Sequence, residues 1–110
     1  MQSVLPECAS VLATPAYDEA GCLEEIKLQF RLNGETVTLL WLPLRDPAAL
    51  QRFVADLEAG RDAVLGAGQR SQPALSASGS NLVFLAPQLI THLPRALYAA
   101  PLAAALRAVV

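Results

Sequence analysis

The chain has 110 residues, of which 54% are apolar and only 16% charged, with a net charge of −2. That length suits a single domain, residues 1–110, able to bury a real core, and its eight Lys and Arg residues form no cluster, which disfavours nucleic-acid binding. No apolar run reaches the ~20 residues of a membrane-spanning helix, no positive charge precedes Lys27 as a secretory leader needs, and cytoplasmic residence is the default expectation.

Residues 1–23 form the least readable stretch, an N-terminal segment of apolar pairs (Val4-Leu5, Val11-Leu12) punctuated by Pro6 and Pro15. Ser3 suits the cap of a short helix reaching Ala13, and a short strand at 9–14 lying beside residues 22–32 is nearly as good a reading. Asp18-Glu19-Ala20-Gly21 has the composition of a turn.

The stretch from Glu24 to Leu44 reads as a β-hairpin. Asn33-Gly34 is the pair that best tolerates the two positive φ angles of a type I′ turn. A two-residue loop sets Leu32 opposite Glu35, and alternation then places Ile26, Leu28, Phe30, Val37, Leu39 and Trp41 on one apolar face. The other face pairs Arg31 with Thr36, Gln29 with Thr38, Lys27 with Leu40 and Glu25 with Leu42. Leu40 and Leu42 thus break an otherwise polar face.

After Pro43, Asp46-Pro47 has the form of an N-cap followed by a first-turn proline. The helix it opens carries Leu50, Phe53, Val54 and Leu57 on one stripe. Gly60 suits the C′ stop, although Val64 and Leu65 keep the helical spacing and allow the helix to run on to Gly66-Ala67-Gly68. Residues 66–73, GAGQRSQP, read as a polar loop.

A second hairpin follows over residues 74–86, with Gly79-Ser80 as a type II′ turn. It faces Ala77 to Leu82 and Leu75 to Phe84 on one side, and Ser76 to Val83 on the other. Gln88–Leu93 forms a further strand, alternating Leu89, Thr91 and Leu93 against Ile90 and His92. The alanine-rich tail from Arg95 is helical, with Tyr98, Leu102, Ala105, Leu106 and Val109 on one face. Pro101 is awkward inside it, so the regular helix is expected to begin there.

The assembled fold class is α+β: one antiparallel sheet of two hairpins, about four to five strands, with two helices packed on one face. Leu40, Leu42, Val83 and Leu85 fall on the opposite sheet face and make the candidate partner interface. They are to be buried either against a second copy of the chain or under residues 1–23, through Val4, Leu5, Val11 and Leu12.

Reactive constellations are sparse. His92 is the only histidine, and Cys8 and Cys22 are the only cysteines. Neither cysteine sits where a thiolate is stabilised, and both are expected to be reduced, buried small residues. A Cys8–Cys22 disulfide is reserved for an oxidising compartment. One His and two distant Cys make no metal site by spacing, Glu24 and Glu25 point to opposite strand faces, and Gly66-Ala67-Gly68 lacks the residues of a phosphate loop. No catalytic residue, cofactor or metal is assigned. The reading favoured is a non-catalytic protein-binding module of inhibitor, immunity, chaperone or adaptor type, forming a homodimer and meeting another protein. Its alternative is a small-molecule-binding or enzymatic domain with a pocket between sheet and helices, using His92, Tyr98 or Cys22.

Overall fold

The computed structural model describes residues 8–44, 46–66, 74–86 and 89–109. The expected cap at Ser3, the apolar pair Val4-Leu5 and the loop over 67–73 lie outside the described residues.

The described residues fold into two antiparallel sheets and two helices. The first sheet is a meander of β1 (Ala9–Tyr17), β2 (Leu23–Leu32) and β3 (Glu35–Pro43), in that order. Helix α1 (Pro47–Glu58) follows. The second sheet orders β4 (Ala63–Gly66), β5 (Ala74–Ser78), β6 (Asn81–Ala86) and β7 (Leu89–Pro94), and α2 (Arg95–Arg107) ends the chain. The single four- to five-stranded sheet expected from the sequence is therefore replaced by sheets of three and four strands. Two strands account for the difference, β1 and β4.

β1 pairs along β2 with Val11 opposite Phe30 and Ala13 opposite Leu28. Its inward residues alternate with outward ones, and Pro15 is tolerated because β1 is an edge strand with one side free of ladder bonds. Residues 9–17 thus extend the sheet instead of covering its outer face. The β1–β2 turn is held by Asp18, whose Oδ1 accepts from the backbone N–H groups of Ala20 and Cys22, each at 2.9 Å, with Gly21 at φ 82. This is the turn expected from Asp18-Glu19-Ala20-Gly21.

The β2–β3 turn has the two positive φ angles of type I′, 52 at Asn33 and 86 at Gly34. Asn33 also ties down the entry to β1: its Oδ1 accepts from Cys8 N–H at 2.9 Å, and its N–H donates to Cys8 O at 2.8 Å. Beyond the turn the expected register fails. Leu32 faces Glu35 and Arg31 faces Thr36, but Phe30 faces Thr38, so Val37 is an extra residue in β3. Such a bulge shifts all later pairings by one and exchanges the faces of the strand. Leu40 now pairs with Leu28 and Leu42 with Ile26. These two leucines are 2% and 1% exposed and belong to the core, whereas Val37, Leu39 and Trp41 face outward. Both alternating sets of β3 are apolar, so the pattern alone could not choose between them. The even set leads on to Leu44, also buried, and the bulge keeps Leu40, Leu42 and Leu44 inward.

Asp46 caps α1 by accepting from Ala48 N–H at 3.0 Å, and Leu50, Phe53, Val54 and Leu57 are buried, as their spacing requires. Gly60 ends the helix at φ 76. Gly60 N–H donates to Leu57 O at 3.2 Å and Arg61 N–H to Asp56 O at 2.9 Å, the paired bonds of a Schellman closure. The helix therefore cannot continue, and Val64-Leu65 becomes β4, paired with β5 through Leu65 opposite Leu75. The β5–β6 register is the expected one, with Ala77 facing Leu82, Leu75 facing Phe84 and Ser76 facing Val83. Gly79 alone has positive φ in that turn, 56, consistent with type II′. α2 runs through Pro101 instead of starting there.

One apolar cluster joins the inner faces. Ile26, Leu28 and Phe30 are the share of β2, and the Tyr98 ring of α2 stands edge-on to Phe30 at 5.4 Å between centroids. Leu75, Leu82, Phe84 and Leu93 supply the second sheet's share. α1 packs on α2 and β4, while α2 reaches β1, β6 and β7.

Candidate functional site

With the helices on the inner faces, the outer face of each sheet is left without a covering element among the described residues. On the first sheet, register brings the outward residues into rows: Leu12–Gln29–Leu39, Thr14–Lys27–Trp41 and Ser10–Arg31–Thr36. Leu12, Val37, Leu39 and Trp41 are each about half exposed, Trp41 at 49%. Lys27 lies with Nζ 5.4 Å from the Trp41 ring centre, within cation–π range. Gln29 Nε2 donates to Thr36 Oγ1 at 2.6 Å. Arg31 donates from Nη2 to Gly34 O at 2.6 Å, and its buried Nε meets no acceptor among the described residues.

The second sheet's outer face carries the rows Val64–Ser76–Val83–His92 and Gly66–Ala74–Leu85–Ile90. Val64 is 69% and Ile90 61% exposed. Of the four residues expected to form a partner patch, Val83 and Leu85 lie here, half-buried and exposed, while Leu40 and Leu42 are in the core. The bulge at Val37 separates the two pairs. Sequence reasoning missed Leu12, Val37, Leu39 and Trp41 as surface residues, because a bulge leaves no mark in residue periodicity.

The polar groups inside the fold are spent on holding it. Arg95 is the one buried charged residue among those described. Its guanidinium donates to Gly79 O at 3.4 Å and to Arg61 O, lies 3.8 Å from Asp62 Oδ1, and its backbone N–H donates to Ser80 O at 2.9 Å. Tyr98 is buried too, with its hydroxyl donating to Arg31 O at 3.2 Å. Glu58 and Arg107 clamp α1 to α2 through two side-chain hydrogen bonds, one of them 3.0 Å from Nε to Oε2. That bonding holds the Glu58 carboxyl below its ordinary value and raises the Arg107 guanidinium.

The residues that chemistry would need are not gathered. Cys8 and Cys22 are free and exposed, contrary to the expectation of burial. They sit at opposite ends of β1, roughly 30 Å apart at ~3.3 Å per residue, far beyond the reach of a disulfide. Cys22 borders a cavity of about 420 Å³ lined by Tyr17, Leu23, Pro47, Leu50 and Val109. Tyr98 lies near the far end of β2, and His92 is on the outer face of the other sheet. No group of three or more His, Cys, Asp or Glu among the described residues could hold a metal ion, and no helix of the described residues is long and apolar enough to cross a membrane.

Comparison with protein-family models, with curated proteins and with solved structures returned no significant match.

Proposed function

We propose that this chain is a non-catalytic protein-binding module, of the inhibitor, immunity, chaperone or adaptor kind, that forms a homodimer and engages a second protein through exposed apolar sheet faces. The observation that carries the reading is the number of large apolar residues left outward: Leu12, Val37, Leu39 and Trp41 on one sheet, Val64, Leu85 and Ile90 on the other. Contiguous apolar patches of this kind are rare on monomers and mark interaction surfaces. The polar groups that are buried serve the fold itself, through Arg95 and Tyr98. Two exposed free thiols suit a reducing, cytoplasmic compartment.

Affinity capture from the native host with the intact chain as bait tests this reading. A single stoichiometric protein partner is expected, retained by a variant carrying His92→Gln, Cys8→Ser and Cys22→Ser. A co-purifying metabolite in place of a protein, or loss of activity in that variant with partner affinity intact, overturns it in favour of a ligand-binding or enzymatic domain.

A further inference from the structure

The two outer faces differ in a way that assigns them different occupants. Among the described residues, the outward positions of the second sheet carry no Asp, Glu, Lys or Arg, and its strands are four to six residues long. The first sheet's face is larger, with strands of nine and ten residues, and is crossed by charged side chains from β2: Glu25, Lys27 and Arg31. Their order along the strand is acidic, basic, neutral, basic.

That order is self-complementary under one two-fold axis. An axis lying between two facing sheets, at right angles to the strands and level with Leu28, stacks residue 25 of β2 on residue 31 of the second copy, and residue 27 on residue 29. Glu25 then meets Arg31 twice, once on each side of the axis, and Lys27 meets Gln29. In the same arrangement the row of Leu39 lies over the row of Trp41, so each indole is covered by a leucine. The other two-fold available to facing sheets runs along the strands. It stacks Lys27 on Lys27 and Arg31 on Arg31, which like-charge repulsion disfavours. Aligned sheets cross at about 30°, so the closest contact falls near the axis, where Gln29, Lys27, Leu39 and Trp41 lie.

Area points the same way. Three strands of about nine residues cover roughly 30 by 15 Å, about 450 Å² before side-chain relief, which is more than half of the ~800 Å² each partner gives to a standard interface. We propose that the outer face of the first sheet takes a second copy of this chain, strands antiparallel, with Glu25 of each copy paired to Arg31 of the other, and that the second sheet's face is the one left for a foreign protein. This rests on the homodimer in the functional reading and names its surface.

The test is sedimentation equilibrium of the intact chain and five variants, each checked for native secondary structure by circular dichroism. Wild type is expected to be a dimer, with the emission of Trp41, the only tryptophan, shifting to the red on dilution. Glu25→Arg and Arg31→Glu should each raise the dissociation constant by about tenfold or more, and the double reversal should recover most of that loss. Leu39→Asp gives a second handle that does not depend on the charge pair: it should yield a folded monomer. Dissociation by Ile90→Asp but not by Leu39→Asp overturns the assignment of faces while leaving a homodimer in place. Dissociation by Leu39→Asp without recovery in the double reversal overturns the antiparallel register. A wild type that stays monomeric at the highest attainable concentration removes the homodimer from both readings and leaves only binding to a foreign protein.

Discussion

At the scale of single residues, the guanidinium of Arg95 gathers three chain reversals: the α1–β4 connection at Arg61 and Asp62, the β5–β6 turn at Gly79 and Ser80, and the start of α2. Replacing it with Met keeps the apolar stem and leaves the carbonyls of Gly79 and Arg61 without their donor. Arg95→Met is expected to cost about 2–3 kcal/mol in urea denaturation. Asp62→Asn should cost less than ~1 kcal/mol, because its carboxylate is 75% exposed. Gly34→Val should cost more than ~1 kcal/mol, since a β-branched residue is strained at φ 86. An added Cβ there meets nothing within 4 Å, so the penalty is conformational and Gly34→Asn should recover much of it. Unchanged thermal stability in Gly34→Val would contradict the type I′ turn. The turn and the Asp46 cap were legible in sequence because both depend on local chemistry. The role of Arg95 was not, because its partners lie at Arg61, Asp62 and Gly79, far along the chain.

Among whole elements, the two that departed from expectation share a cause. Residues 39–42 and 63–65 are apolar on successive positions, so periodicity could not assign their faces or, for the second, even helix against strand. The bulge and the Schellman closure settled each case. Deleting Val37 tests the first directly. Without it the hairpin has the straight register of a two-residue turn, yet Leu40 and Leu42 still point inward, so the deletion variant should fold with a stability within about 1 kcal/mol of wild type. If β3 instead ran unbulged, the same deletion would turn every core residue of the strand to solvent and unfold it. In α2, Pro101 has no N–H to give to Leu97 O. Pro101→Ala should raise stability by about 1–2 kcal/mol, the gain of a helical bond less the entropy that proline removes from the unfolded chain. The α1–α2 clamp adds a pH dependence of known sign. The Glu58 carboxyl sits below its ordinary value because Arg107 donates to it, so its contribution is present above the usual glutamate range and lost as pH falls through the depressed value. Melting temperatures of wild type and Glu58→Gln should therefore converge on acidification from about pH 7 to about pH 3. A gap that widens on acidification would contradict the clamp.

For the whole molecule, the apolar surplus in the composition had a physical destination. An apolar share of 54% is above the usual ~45–50%, and several of the large apolar residues emerge on the outer faces of the two sheets. Which residues emerge is decided by one bulge, and that gives the sharpest contrast the fold offers. Leu39 and Leu40 are sequence neighbours of the same kind, one half exposed and one 2% exposed. Leu40→Asp places a carboxylate against Leu28 without a partner, and Leu42→Asp does the same beside Ile26. Either change should cost more than about 4 kcal/mol, much of the stability of a small domain, and leave the chain unfolded by circular dichroism. Leu39→Asp and Trp41→Ser remove side chains that the folded chain buries only by about half. Their unfolding free energies, measured where self-association is absent, should fall by no more than about 2 kcal/mol, well short of the Leu40 and Leu42 changes. The reverse ranking, with Leu39 and Trp41 intolerant and Leu40 and Leu42 permissive, would mean that β3 runs without its bulge, that the core is lined by Val37, Leu39 and Trp41, and that Leu40 and Leu42 stand on the outer face of the first sheet.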